Sequence, residues 1–154
     1  MHENIYNIEE HDNKPRSARR RAREFAVQGI YQYLINYSDY PFILTSIEES
    51  PDFEKSDISH LKRILSGIIQ DKNVLTEYFS QFLDREMETI SPIEHAVLLI
   101  GTYELLHCLD IPYKVIINEA VELTKRFGGI EGYKYINGIL DKLAPILRSP
   151  IYKN

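Results

Sequence analysis

"SPIEHAVLLIGTYELLHC" (residues 91–108) is the segment from which we infer the fold class. Ser91, Pro92 and Glu94 are typical of a helix start, because they provide an N-cap hydroxyl, a proline at the first helical position and the glutamate of a capping box. The run "AVLLIGTYELL" that follows is apolar on most faces of a helix, so other elements must surround it. The segment therefore predicts the central helix of an all-α protein.

Helical spacing of apolar residues recurs on both sides of this segment, and the alternation typical of a strand does not. We predict a helix from Ser17, a short helix opened by Pro41, one long helix or two in line over residues 57–83, a helix after "DIPYK" (110–114), and a last helix from Gly132 to Leu147. Gly128–Gly129 predicts a helix stop with a left-handed cap. The expected fold is a bundle of six to seven helices, with two subdomains that meet near residues 85–91.

Length and composition predict one soluble domain. The chain has 154 residues, of which 44% are hydrophobic and 27% are charged, as in ordinary globular proteins. Its single cysteine, Cys108, cannot close an internal disulfide, and the apolar neighbours of this residue predict a buried, inert thiol. No stretch is long and apolar enough to span a membrane, and residues 1–15 contain no apolar signal core. We therefore expect a cytoplasmic protein that does not bind membranes.

Charge is distributed unevenly along the chain. The segment "KPRSARRRAR" (14–23) has six cations and no acid, although the net charge of the whole chain is −5. The remaining sequence has twelve Lys and Arg against 23 acids, a net charge of −11. Residues 1–15 are interpreted as an acidic flexible tail, because the first thirteen contain four acids and no Lys or Arg. The basic segment is thus a local exception that favours an anionic partner.

A helical conformation would bring most of the arginines of this basic segment to one side of the helix. At ~100° per residue, Arg16, Arg19, Arg20 and Arg23 fall within an arc of about 100°, well away from the apolar side of the same helix, and Arg21 points elsewhere. Like charges at this spacing disfavour a helix by a few tenths of a kcal/mol per pair, so we interpret the row as a binding site. The planar guanidinium group favours phosphates and bases, which indicates nucleic acid. The alternatives are a solvated surface and pairing with acids elsewhere in the chain.

Patterns typical of catalysis and metal binding are missing from the sequence. "GGIEG" (128–132) follows no strand and precedes no Gly-Lys-Ser/Thr, so it is interpreted as a turn rather than a phosphate loop. His95, His107 and Cys108 lack the spacing of ligands on one helix face. Glu119 and Glu122 are interpreted as part of an ion-paired surface. We predict a non-enzymatic protein that has no catalytic residues, no cofactor and no metal.

Three segments resemble one protein family in the same order along the chain. They are "ARRRAREFAVQGIYQ" (18–32), "IEHAVLLIGTYEL" (93–105) and "DIPYKVIINEAVELTKRFGGIEGYKYINGILDKLAPILR" (110–148), and they are similar to the NusB family over about 130 residues. The resemblance implies two three-helix-like subdomains, about 16–84 and 91–148, within a single RNA-binding domain over residues 16–149. It also implies transcription antitermination: binding of boxA RNA in ribosomal RNA transcripts together with the ribosomal protein NusE, in a complex with RNA polymerase. The extension 1–13 and the region 38–57 depart from the family pattern.

The resemblance also implies functional residues. Arg19, Arg20, Arg21 and Arg23 match the family's arginine-rich motif, Glu131 matches an acidic position beside the RNA surface, and the start of the last helix matches a second RNA-facing region. The predicted RNA-binding residues are Arg16, Arg19, Arg20, Arg23, Lys134, Tyr135 and Asn137, and the predicted NusE-binding residues are Tyr31 and Glu94. Arg21 is expected to pair internally.

Several alternatives stay open at this point. Tyr135 also suits the core, and Glu94 also suits a purely structural capping role. A helical DNA-binding regulator, a protein-binding adaptor and a homodimer are compatible with the same pattern. The resemblance extends to the RNA-binding domain of ribosomal RNA cytosine methyltransferases, but 154 residues leave no room for their cofactor-binding domain.

Overall fold

The structure is a computed structural model that describes residues 16–129 and 132–149. Within these ranges the chain forms six α-helices, two short 3-10 helices and no strand, so the all-α prediction is confirmed. The α-helices are α1 (Ala18–Asn36), α2 (Tyr40–Glu48), α3 (Ile58–Ser80), α4 (Pro92–His107), α5 (Tyr113–Phe127) and α6 (Gly132–Leu147), and the 3-10 helices are Phe53–Lys55 and Met87–Thr89. The predicted acidic tail, residues 1–15, lies outside the described residues.

Helix α4 is the central helix, as predicted. Every residue from Ala96 to Leu105 is buried, and α4 packs against α1, α3, α5 and α6. Its start is the predicted capping box, in which the Glu94 backbone N–H donates to Ser91 Oγ at 3.1 Å. In return, the Ser91 backbone N–H donates to Glu94 Oε1 at 3.1 Å. A locally encoded cap and an apolar surface on all sides thus specify the element around which the others pack.

The other helix ends follow the sequence signals with one correction. Ser17 caps α1, since its side chain accepts from the Arg20 backbone N–H. Helix α3 has a kink at Asp71, whose backbone angles are not helical (φ −115°, ψ 26°), so the segment predicted as one long helix or two in line is two helical pieces joined by a kink. The left-handed cap predicted at Gly128–Gly129 is wrong, since Gly128 is extended (φ −111°, ψ −165°) and no described glycine has a positive φ. Glycine is needed there for close approach, because a Cβ at Gly128 would lie 3.0 Å from the Thr124 carbonyl oxygen.

One continuous hydrophobic core holds the molecule together. Side chains from all six helices contribute to a single buried cluster. The boundary between subdomains 16–84 and 91–148 therefore stays a prediction. Cys108 belongs to this core, as predicted, and burial raises the pKa of its thiol to about 11. Among the described helices, none combines the length and the apolar character needed to cross a bilayer.

Candidate nucleic-acid interface

The predicted arginines at the start of α1 and just before it pair with acidic residues of α1 itself and of other elements. Arg19 Nε donates to Asp57 Oδ2 at 3.0 Å, at the start of α3. Arg16 Nη1 donates to Glu24 Oε1 at 2.6 Å. Arg21 pairs within the chain, as expected, with Nη1 4.0 Å from Asp52 Oδ2. The basic segment is therefore an ordered array of ion pairs at one end of α1.

Arg20 has the most directional of these pairs. Its Nε donates to Glu119 Oε1 at 3.0 Å and its Nη2 donates to Glu119 Oε2 at 2.8 Å. This two-bond arrangement fixes the plane of the guanidinium group. The Glu119 side chain comes from α5 and is 12% exposed, whereas that of Arg20 is 25% exposed. Glu119 thus holds a partly exposed cation in one orientation.

Arg23 does not face solvent, and that part of the sequence prediction is wrong. Its side chain is 4% exposed, and its Nε donates to both carboxylate oxygens of Glu104, at 3.0 Å each. His60 Nε2 lies 2.6 Å from Glu104 Oε2, and Arg23 Nη1 lies 3.7 Å from Glu119 Oε1. The physical reason is that central helix α4 presents a buried carboxylate to this side of α1. Arg23 therefore links the surface arginines to the core.

The four predicted arginines differ in how far their side chains are exposed to solvent. The side chains of Arg16, Arg19 and Arg20 are 22%, 39% and 25% exposed, so all three reach the surface. The Glu24 side chain, which pairs with Arg16, is 10% exposed, and its Oε2 also lies 3.5 Å from Arg126 Nε. Burial raises the pKa of the Glu24 carboxyl, although Arg16, Arg20 and Arg21 act in the opposite direction. Arg16, Arg19 and Arg20 are thus each more exposed than the carboxylate with which they pair.

The second predicted region lies at the start of α6. Tyr135 is partly buried against the core, and the Arg85 guanidinium lies 4.0 Å above the centre of its ring. Burial, followed by the nearby Asp84 carboxylate, raises the pKa of the Tyr135 hydroxyl. Asn137 Nδ2 donates to Asp141 Oδ2 at 3.4 Å, and Lys134 is exposed. Glu131 lies outside the described residues.

The two predicted partner-binding residues are in different settings. The Tyr31 side chain is exposed at 41% on α1, and Ile35, one turn further along, is exposed at 46%. Glu94 is half-buried in its capping box, and its Oε2 would lie 3.0 Å from a Cβ at Gly132. Glu94 therefore has a structural role, whereas Tyr31 lies on an exposed apolar patch.

Sequence reasoning missed the carboxylates that organise the array. Glu24, Asp57 and Glu104 are distant from one another in sequence, and no motif marks them. Glu119 was correctly interpreted as ion-paired, but its partners are Arg20 and Arg23 of another helix rather than neighbours on its own. The available signal was the net charge, since an acidic chain offers many carboxylates to a local cluster of cations.

Comparisons of sequence and structure with known proteins all point to one family. Residues 20–145 match the NusB family. The chain is 56% identical over 135 residues to the transcription antitermination protein NusB of Cupriavidus pinatubonensis, covering 88% of this chain and 81% of that protein. It is 55% identical over 135 residues to the protein of that name from Ralstonia nicotianae, covering 88% and 87%. The solved structure of T. maritima NusB has a TM-score of 0.76 and 30% identity, covering 91% of this chain and 97% of that one.

Proposed function

Since the chain belongs to the NusB family of transcription antitermination proteins, we propose that it is a non-catalytic RNA-binding factor that recognises boxA RNA of ribosomal RNA transcripts together with the ribosomal protein NusE. In this proposal it acts in the cytoplasm as part of the RNA polymerase antitermination complex, without a cofactor and without a membrane. Single-stranded RNA is the proposed ligand, because it offers both phosphates and unstacked bases. In this proposal the arginines at the start of α1 bind the phosphates, and residues of α6 contact the bases.

The observation that carries the proposal is the ordered guanidinium array at the start of α1. Arg16, Arg19 and Arg20 are partly exposed, and each donates to a carboxylate that fixes its position. A guanidinium group has five N–H donors, and Glu119 accepts two of those of Arg20. Phosphate binding then loses little side-chain entropy, because the arginines are already held in place. Arg23 contributes by holding the array to α4 rather than by touching RNA.

Residues of α6 are proposed to contact bases. Lys134 provides a cation and Asn137 an amide, which can hydrogen-bond to base edges. A base that stacks on Tyr135 has to displace the Arg85 guanidinium, which then becomes available to a neighbouring phosphate. Tyr135 and Arg85 therefore act as a pair in this proposal.

NusE is proposed to bind the exposed apolar patch of α1. Tyr31 and Ile35 are four residues apart, so they lie on the same face of the helix, and both are substantially exposed. Exposed aromatic side chains are enriched at protein interfaces. Glu94 is proposed to take part through the start of α4, which its capping box keeps in place.

Titration of the protein with fluorescent boxA RNA, with and without purified NusE, tests the proposal. We expect NusE to raise the affinity for boxA RNA more than the affinity for a scrambled RNA of equal composition. Equal affinities for the two RNAs in the presence of NusE would contradict the proposal. Duplex DNA that competes as well as boxA RNA would favour a DNA-binding regulator, and light scattering that shows a stable dimer without binding of NusE would favour a homodimer.

A further inference from the structure

A groove of about 490 Å³ runs between α5 and α6, beside the proposed RNA-binding residues. Tyr113, Lys114 and Asn118 line it from α5, and Tyr133, Asn137 and Asp141 line it from α6. Its volume falls within the roughly 300–1,000 Å³ that small-molecule pockets have. The groove is therefore large enough for a planar ring system.

The aromatic side chains of the groove suit a flat ligand. Tyr113 is 42% exposed at the first position of α5, so part of its ring area is accessible to a ligand. The ring of Tyr133 is partly buried, and the Lys125 ammonium lies 4.7 Å from its centre. A tyrosine ring stacks on any nucleobase, because every base has a π-face. Of the two rings, Tyr113 is the more accessible stacking platform.

The polar side chains of the groove suit the edge of a base. Asp141 and Asn137 form a pair, with Asn137 Nδ2 3.4 Å from Asp141 Oδ2. A carboxylate accepts hydrogen bonds from the exocyclic amino groups of bases, and an amide both donates and accepts. A site for phosphate alone would gain nothing from a carboxylate. The lysines 114 and 134 at the same groove can instead attract the phosphates on either side of the base.

We propose that this groove is a base-binding site, in which one unstacked base of the RNA strand stacks on Tyr113 and donates from its exocyclic amino group to Asp141. The inference rests on the proposed function, because it assigns a position for one base of the same RNA. It adds Tyr113, Asn118 and Asp141 to the RNA-binding residues, and it assigns to Asp141 the choice of base.

Abasic substitution of the RNA tests the stacking. BoxA RNAs that each lack one base are titrated against the protein with NusE present at a fixed concentration. We expect one position, distinct from that of any base that stacks on Tyr135, at which loss of the base weakens binding by about 5- to 100-fold. In Tyr113→Ala the intact RNA should bind as weakly as that abasic RNA, and removal of the base should have no further effect. Tyr113→Phe should bind like the wild type, and so should Phe42→Ala, an exposed aromatic on α2 outside the groove.

Asp141→Ala tests the choice of base, because an asparagine at this position could still accept a hydrogen bond through its amide oxygen. Loss of a negative charge near RNA should slightly raise the affinity for every RNA if Asp141 only repels phosphate. The proposal instead predicts that Asp141→Ala reduces the preference for boxA RNA over an RNA whose base at the same position lacks an exocyclic amino group. Glu122→Ala is the matched control, since it removes the same charge from the exposed side of α5. An unchanged preference in Asp141→Ala would overturn the assignment.

Two further outcomes separate this inference from the proposed function. If Arg20→Ala weakens RNA binding while Tyr113→Ala responds to every abasic RNA like the wild type, the groove assignment fails and the proposed function stands. If Arg20→Ala binds RNA like the wild type, the guanidinium array fails as the phosphate site. The four ribonucleoside monophosphates are titrated as competitors, because they present the same rings. A monophosphate that binds as tightly as boxA RNA would overturn the assignment to an RNA strand.

Discussion

Arg23 and Glu104 form a buried two-oxygen ion pair between α1 and the central helix α4. The Arg23 Nε lies 3.0 Å from each carboxylate oxygen, and the two side chains are 4% and 1% exposed. His60 of α3 approaches the same carboxylate at 2.6 Å. Glu119 connects the pair to Arg20 at the surface. Four helices, α1, α3, α4 and α5, are thus joined by polar side chains beneath the proposed RNA-binding surface.

Glu104→Ala should strongly destabilise the protein. The substitution leaves Arg23 buried without its carboxylate, and breaking a buried pair in this way costs about 3–5 kcal/mol. Urea denaturation followed by circular dichroism measures the free energy of unfolding. Glu122→Gln, on the exposed side of α5, should change it by no more than about 0.5 kcal/mol.

The double variant Arg23→Leu with Glu104→Leu separates the charge effect from simple loss of packing. Because no unpaired ion of this pair remains buried, the double variant should be more stable than Glu104→Ala. The single variants Arg23→Leu and Glu104→Leu complete the comparison. If their losses of unfolding free energy add up to the loss in the double variant, the two residues are not coupled.

Arg20→Ala should weaken RNA binding in a salt-dependent way. If Arg20 neutralises one phosphate, its loss costs about 1 kcal/mol or more and flattens the slope of log affinity against log salt by about 0.7. Titrations between low and moderate salt measure both quantities. Lys72→Ala is the control, since Lys72 lines the same groove as Leu34, and Leu34 is roughly 20 Å along α1 from Arg20. An unchanged slope in Arg20→Ala would contradict a phosphate contact.

Much of the fold could be predicted because its signals are local. Ser91, Pro92 and Glu94 specify the start of α4 within four residues, and the cap forms as expected. The cap at Gly128 could not be predicted in the same way. A glycine there suits a left-handed turn or a close contact, and only the position of the Thr124 carbonyl distinguishes the two.

The site was less predictable because it depends on contacts between helices. Projection onto one helix groups Arg23 with Arg19 and Arg20. It cannot show that Glu104 of α4 pairs with Arg23 and so buries this one arginine of the three. Tyr135 illustrates the same difficulty. Its position in the family pattern indicates a contact with RNA. Its ring, however, is partly buried and lies beneath Arg85 of the segment before α4, a contact that the sequence does not reveal.

Gly67→Ala and Gly138→Ala should change stability in opposite directions. A Cβ at Gly67 in α3 would lie 2.8 Å from Cζ of Tyr103, so overpacking should cost about 1–3 kcal/mol. A Cβ at Gly138 in α6 meets nothing within 4 Å, so alanine should stabilise the helix by about 0.5–1 kcal/mol. Thermal unfolding of the two variants measures both effects. A stabilising Gly67→Ala would show that Tyr103 moves at little cost.

Asp57 should make the stability of the protein depend on pH in the acid range. Its side chain caps α3 by accepting from the His60 backbone N–H, and it also accepts from Arg19. Burial acts to raise the pKa of this carboxyl, but the His60 N–H and the Arg19 guanidinium outweigh it, so the pKa lies below its ordinary value of 3.8. A lowered pKa in the folded state means that the ionised form stabilises the fold. This stabilisation is complete above the unfolded pKa and is lost as the pH falls through the folded pKa.

Asp57→Asn should therefore be less stable than the wild type at pH 6, and the difference should shrink as the pH falls below about 3.8. Urea denaturation at a series of pH values measures the difference. Ser17→Ala is the matched control, because it removes the cap of α1 without removing a titrating group. Its loss of about 1 kcal/mol should not depend on pH. A difference between Asp57→Asn and the wild type that stays constant down to the lowest pH would show that the Asp57 carboxylate charge does not stabilise the fold.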